Sequence, residues 1–273
     1  MMQKKRTALL TLAGACGVYA ALGRDNKLRE TRYTLRSAKL TRPVRLVQLS
    51  DLHGRFFGKN QGALLAALQR LQPDLLLFTG DIFDNTLPPD GALRLLQALA
   101  GRWPGCYVCG NHEYRLPDVC YPKALFQKHG FHVLDGESIT RQLQGQPIQI
   151  CGVDDPDSGL PYSRQLAAAF RKTDPALFTV LLAHRPEYSR LYADFPCDVI
   201  FSGHAHGGQW RLPFGKAQNG LFAPHQGIFP RFSGGQIQYE SSAHIISRGL
   251  SNGSEPLPRL FNPPELVVVD VLP

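Results

Sequence analysis

The chain has 273 residues, 43% hydrophobic and 19% charged, a globular composition long enough for a full core. Its formal charge of +8 is unevenly placed: residues 1–45 carry 11 Lys/Arg against 2 Asp/Glu, and residues 46–273 come out at −1. A neutral body excludes a surface-wide polyanion binder, and nucleic acid is not an expected partner, because phosphate contacts need clustered Lys and Arg.

The first element is an uncharged run, Thr7 to Gly23, between Lys4-Lys5-Arg6 and eight basic residues from Arg24 to Arg45. Its 17 residues, as a helix, reach roughly 25 Å, the short end for a bilayer span. A cleaved signal peptide, with small residues at Ala20 and Ala21, competes with a lipoprotein signal at Cys16; Ala13 stands where the latter wants a leucine. A retained anchor is the expected reading: membrane segment over 1–23, basic juxtamembrane linker over 24–43 against an anionic membrane surface, and catalytic domain over 44–273. The basic excess after the apolar run puts that domain on the cytoplasmic side, with the periplasmic side as the alternative.

Five apolar runs then read as buried strands: "VRLVQLSDLH" (44–53), "DLLLFTGD" (74–81), "GCYVCGNH" (105–112), "FTVLLAHRP" (178–186) and "DVIFSGHAH" (198–206). Amphipathic stretches at 61–71, 91–101, 121–130, 163–172 and 186–195 read as helices, so the pattern is α/β with sheets buried on both faces. From "GGQIQYES" onward, strand-like pieces follow one another without helices, which predicts an antiparallel section. Cys106 and Cys109 form a C-x-x-C with no second pair to complete a zinc site, and read as small apolar residues of a strand.

Each strand ends in the same kind of residue: Asp51-x-His53, Gly80-Asp81, Gly110-Asn111-His112-Glu113, His184, and Gly203-His204-x-His206. Ligands of open α/β sheets bind at the carboxyl ends of strands, so five strand ends converge on one cleft. Any one of them alone is a turn or a cap; five in succession are a site. Oxygen and imidazole donors without thiolate suit Mn²⁺, Fe, Zn²⁺ or Mg²⁺.

This five-block set resembles the signature of calcineurin-like metallophosphoesterases, and the anchor, "GVDDP" (152–156) and "PRLFNPPELVVVDV" are similar to the bacterial YkuE/YaeI-like branch. The resemblance implies a four-layer α/β/β/α sandwich, on an N-terminal membrane anchor in a bacterial inner membrane, holding two divalent cations with Mn²⁺ foremost. Carried over by motif, one cation takes Asp51, His53 and His206, the other takes Asn111, His184 and His204, and Asp81 bridges both. Such a pair, about 3.5–4 Å apart, makes a metal-activated hydroxide for in-line attack at phosphorus. His112 would protonate the leaving oxygen, with Asp84 orienting its ring. Glu113 fits a supporting place better than a catalytic one.

Phosphoprotein phosphatases of this family carry arginine before "GNH"; here that residue is Cys109, so a phosphoprotein substrate is not expected. Arg55 and Arg248 are candidates to contact phosphate, against exposed surface arginine as the plain alternative. A membrane-borne phosphodiester or pyrophosphate is the expected substrate, with UDP-2,3-diacylglucosamine of lipid A assembly leading. Phe56, Phe57, Phe222 and Phe229 are candidates to seat acyl chains, against ordinary packing. A general or cyclic-nucleotide phosphodiesterase or nuclease is the alternative; a non-catalytic scaffold predicts lost ligands, and none is missing. No obligate protein partner is implied.

Overall fold

The computed structural model describes residues 23–212, 219–251 and 259–273. Two six-stranded sheets carry the fold. The first runs in the order β1 (Arg29–Arg36), β14 (Glu265–Leu272), β2 (Val44–Leu49), β3 (Leu75–Thr79), β4 (Gly105–Val108), β5 (His132–Val133). In the second the order is β12 (Gly235–Gln238), β13 (Ala243–Ile246), β9 (Val199–Ser202), β8 (Phe178–Ala183), β7 (Gln146–Val153), β6 (Glu137–Leu143). β2, β3, β4 and β5 are mutually parallel, as are β7, β8, β9 and β13.

Period-two alternation sends neighbouring strand residues to opposite faces, and both faces are apolar. Leu46, Leu75, Leu77 and Val108 meet Ile150, Val180, Leu182 and Phe201 in one cluster between the sheets. The opposite faces of β2, β3 and β4 put Val47, Leu49, Leu76, Phe78 and Tyr107 against helices Gly62–Leu71, Asp90–Leu99 and Cys120–Lys128. Leu64, Leu68 and Leu71 lie at helical spacing on the buried side of the first, which stops at Gln72 in a left-handed conformation. On the other side, Cys151, Leu181 and Ile200 pack on Leu166 and Phe170 of helix Tyr162–Phe170 and Tyr192 of Ser189–Ala193. The layering is therefore helix, sheet, sheet, helix. Each fully buried Leu or Val contributes about 1.5–3 kcal/mol.

Two expectations meet the structure differently. The stretch 24–43 is not all linker: β1 adds a parallel edge strand to β14, from Arg29 opposite Glu265 to Arg36 opposite Leu272. Thr31, Tyr33 and Leu35 turn partly inward while Arg32, Thr34 and Arg36 stay exposed, so the folded unit begins before residue 44. The antiparallel section is present where β12 pairs with β13, and β14 with β2, although β13 itself runs parallel to β9. The anchor segment lies almost wholly outside the described residues; among these, no helix is long and apolar enough to cross a membrane. Cys106 and Cys109 are free and buried, as are Cys151 and Cys197.

Candidate metal centre

The carboxyl ends of β2, β3 and β4 in one sheet and of β8 and β9 in the other open on the same place. Asp51 and His53 follow β2, Asp81 follows β3, Asn111 follows β4, His184 follows β8, and His204 and His206 follow β9. Five of these seven residues hold a positive φ: Asp51 52°, His53 52°, Asp81 54°, His204 67° and His206 47°. That region costs a side-chain-bearing residue of order 1 kcal/mol or more, and such strain gathers at functional sites. Turning each chain sharply at the strand end is what points the donors inward.

Three donor sets form among the described residues; two of them share Asp81, and the third, at the rim, is His53, Asp84 and His112. Asp51, His53, Asp81 and His206 bring their donor atoms within 4.8 Å of one another, as do Asp81, His184 and His204. Asp81 Oδ2 lies 3.8 Å from His53 Nε2 and 3.2 Å from His184 Nε2, so a single oxygen faces both sets. Asn111 Oδ1 stands 3.2 Å from His184 Nε2, which is also 3.2 Å from His204 Nδ1. His206 Nε2 stands 3.6 Å from Asp51 Oδ1.

Surrounding groups aim these donors. Asp81 Oδ1 accepts the His112 N–H (2.9 Å), leaving Oδ2 to the cluster. His184 Nδ1 faces the Thr79 carbonyl (2.7 Å) and His53 Nδ1 faces Asp84 Oδ2 (2.6 Å); donating there leaves each Nε2 lone pair for a cation. His206 differs: its Nδ1 accepts from the Arg259 guanidinium (Nη2, 2.7 Å), a group that can only donate, with Ser251 Oγ at 3.1 Å. Glu113 clamps the ligand loops: its buried carboxylate accepts N–H groups from Asp81 (2.8 Å), Ile82 (2.8 Å), Phe83 (3.0 Å) and Gly110 (2.9 Å). Gly203 is there because a Cβ would run into Ser50 Oγ and Asp51 Oδ2. Gly207 and Gly208, by contrast, back onto Asn262 and Gly220.

The donor set fits cations. His53 Nε2, Asp51 Oδ2 and His204 Nε2 are buried without a hydrogen-bond partner, and such atoms are costly unless something binds them. Burial pushes the Asp51 carboxyl up. Burial also opposes charge on Asp81, yet the His184, His53 and His112 rings hold it well below the usual carboxylate range. His184, against its own burial, is raised to about 10 by Asp81 and Asp51, while burial and His184 push His204 down to about 2. Carboxylates that raise the pKa of a fully buried imidazole against its burial favour positive charge at this place.

Asp84 and His112 stand at the rim. Asp84 Oδ2 faces His53 Nδ1 and also lies 3.1 Å from His112 Nδ1; Oδ1 accepts the Thr86 N–H (2.6 Å) and Leu87 N–H (2.9 Å). Burial opposes its ionisation, but bonds from His112, His53 and Thr86 hold it far below the usual range. Burial likewise works against charge on His112, and Asp84 outweighs it, raising its pKa.

The expected phosphate contacts divide. Arg55 lines a cavity of about 580 Å³ together with His53, Phe56, Leu87 and Arg94. Arg248 does not serve as expected: its Nε and backbone N–H donate to Glu265 (2.9 and 2.8 Å), a carboxylate that spends its charge on it. The arginine that reaches the cluster is Arg259, buried, with Nη2 2.7 Å from His206 Nδ1 and 2.9 Å from Ser251 Oγ. Phe57 is a core residue, while Phe56, Phe222 and Phe229 are exposed. His225, which no sequence motif marks, stacks on His204 with ring centroids 5.7 Å apart.

The family model for calcineurin-like phosphoesterases matches residues 44–208, the span that contains every one of these donors. The chain belongs to the calcineurin-like phosphoesterase family. As such it is a metal-dependent phosphoester hydrolase. This phosphoesterase is similar to the metallophosphoesterase YkuE of Bacillus subtilis, 29% identical over 95% of this chain and 90% of that one, consistent with the YkuE-like branch. It is also similar to the UDP-2,3-diacylglucosamine pyrophosphatase LpxG of Chlamydia muridarum, 25% identical over 97% and 96% of the two chains. Among solved structures, phosphopantetheinyl hydrolase of Mycobacterium tuberculosis matches 81% of this chain and 96% of its own at 16% identity, with a TM-score of 0.48.

Proposed function

We propose that this phosphoesterase is a two-cation hydrolase that cleaves the pyrophosphate bond of a lipid-linked nucleotide, with UDP-2,3-diacylglucosamine the leading substrate. The observation that carries the two-cation reading is the pair of donor sets meeting at Asp81 Oδ2. Asp51, His53, Asp81 and His206 would hold one cation; Asp81, Asn111, His184 and His204 would hold the other. Mn²⁺ is foremost, with Fe, Zn²⁺ and Mg²⁺ as alternatives. Divalent cations bound there would polarise the phosphoryl group and lower the pKa of a water. His112 gives its proton to the leaving oxygen, and Asp84 holds the ring in place and keeps it protonated.

Two observations favour a lipid-linked diphosphate. Both LpxG relatives, 25% and 26% identical over 97% of this chain, bear the name of that activity. The cavity beside His53 is lined by two arginines, Arg55 and Arg94, against one carboxylate, Asp90, together with Phe56, Leu87 and Pro88. Water added across the P–O–P bond yields UMP and 2,3-diacylglucosamine 1-phosphate. With Mn²⁺ present, purified full-length protein should release UMP from UDP-2,3-diacylglucosamine faster than it turns over bis(p-nitrophenyl) phosphate or a cyclic nucleotide. Turnover of the small diesters without UMP release would assign the enzyme to the general phosphodiesterases instead.

The same reading keeps the chain at a bacterial inner membrane through its apolar N-terminal run, with the catalytic unit in the cytoplasm. Cys120 is the one exposed cysteine among the described residues and reports the side directly. A membrane-impermeant maleimide should label it in lysed cells and leave it unlabelled in intact spheroplasts; labelling in both places the domain outside.

A further inference from the structure

Nine large apolar side chains are exposed among the described residues, and five of them fall between residues 210 and 229: Trp210, Leu212, Phe222, Ile228 and Phe229. They are neighbours in space as well. Phe222 of β10 (Phe222–Ala223) is the cross-strand partner of Ile228 of β11 (Gly227–Ile228). The Phe229 N–H donates to the Leu221 carbonyl (2.9 Å) and the Leu221 N–H to the Trp210 carbonyl (2.8 Å), laying three segments side by side. Ile228 and Phe229 expose 73% and 72% of their surface, far more than packing on this fold requires. A contiguous apolar patch of this kind on a soluble surface marks a contact.

Charge and position say what it contacts. Residues 199–239 contain no Asp or Glu, and Arg231, three residues past β11, is exposed, whereas Arg211 is buried with its guanidinium donating to the Gly207 carbonyl (3.0 Å). An apolar tip with an exposed arginine beside it and no acidic residue around it matches an anionic lipid surface, where acyl chains accept the side chains and headgroups accept the charge. The hairpin is also fastened to the metal centre: His225, in its turn, stacks on His204, and Gly220 closes on Gly208. A surface seated by this hairpin therefore sits against the mouth of the site.

We propose that the β10–β11 hairpin, with Trp210 beside it, inserts its apolar side chains into an anionic bilayer and so presents the metal centre to substrate in the membrane plane. This rests on the lipid-linked reading above for its purpose, but not for its test. Trp103 and Trp210 are the only tryptophans, so a Trp103→Phe protein reports from Trp210 alone. In phosphatidylglycerol vesicles doped with brominated phosphatidylcholine, Trp210 emission should be quenched, and in purely phosphatidylcholine vesicles less so. A Phe222→Ser/Ile228→Ser/Phe229→Ser protein should lose that quenching and keep its rate on soluble bis(p-nitrophenyl) phosphate, which certifies the fold. On vesicle-borne UDP-2,3-diacylglucosamine its rate should fall by more than about tenfold, since burying one such side chain is worth a factor of that order.

Absent quenching in the parent, or equal quenching in the triple variant, overturns the proposal, because the N-terminal run alone then holds the protein on the vesicle. A dimer in sedimentation that the triple variant abolishes, without quenching, overturns it too and assigns the face to a second copy of the chain. Quenching without UMP release leaves the membrane face standing and removes the lipid-linked substrate. UMP release with no quenching and no loss in the triple variant does the reverse.

Discussion

Asp81→Asn protein, purified with Mn²⁺, will carry less than half the metal of the parent and hydrolyse bis(p-nitrophenyl) phosphate at a rate lower by more than ~100-fold, the most that losing an outer partner of a ligand costs. The reason lies in one atom. Asp81 Oδ2 faces His53 Nε2 at 3.8 Å and His184 Nε2 at 3.2 Å, so both donor sets lose the same anionic oxygen at once. Asparagine keeps the shape and can still accept the His112 N–H that now goes to Oδ1, which confines the change to charge and donor strength. Metal analysis of the dialysed protein and initial rates at saturating Mn²⁺ measure the two effects separately. A variant that retains its full metal content and rate would remove Asp81 from the centre and with it the shared-ligand arrangement.

What the sequence made legible was whatever repeats locally. Apolar runs such as 74–79 and 178–183 announce strands buried on both faces, and the polar residue at the end of each run announces where the chain leaves the sheet. Because parallel strands align their carboxyl ends, listing the residues just past each run nearly lists the centre. β1 was hidden by charge: Arg29, Arg32 and Arg36 suggest a linker, although Thr31, Tyr33 and Leu35 already alternate with them at the period of a strand. Its partner β14 lies more than 220 residues on, from Glu265, and nothing local names it.

The arginines were illegible for a related reason. Arg248 stands close in sequence to the glycine beneath Asp51, but Glu265 captures it, and that carboxylate comes from the last strand. Arg259 reaches His206 because the chain around β14 folds back over the ligand loop, with Asn262 bonding the His206 carbonyl at 2.6 Å. The role of Glu113 was half legible: "GNHE" suggests a helix start, while the three consecutive N–H groups it holds, from Asp81 to Phe83, belong to another strand's end. Distances set by long-range return of the chain leave no pattern at short spacing.

His112→Gln protein will lose roughly 10²–10⁴-fold in kcat on an alkyl phosphodiester, the usual worth of a positioned proton donor, and clearly less on bis(p-nitrophenyl) phosphate, whose leaving anion is stable without a proton. A residue that merely supported Asp81 through its backbone N–H would leave both rates nearly unchanged, since glutamine keeps that N–H. Asp84 supplies the second half of the test. A general acid works only while protonated, so activity falls as pH rises through the pKa of His112, and Asp84 at 3.1 Å raises that pKa against the burial that would lower it. Asp84→Asn removes the carboxylate, and the alkaline limb of the kcat/KM profile should move to lower pH. It should also lower kcat over the whole range, because the same Oδ2 holds His53 at 2.6 Å. The two effects separate by pH: loss of His53 orientation scales the profile down, and loss of support for His112 slides its alkaline side. A profile scaled down with its alkaline limb unmoved would leave Asp84 as a positioning residue for His53 alone and would take the proton from His112.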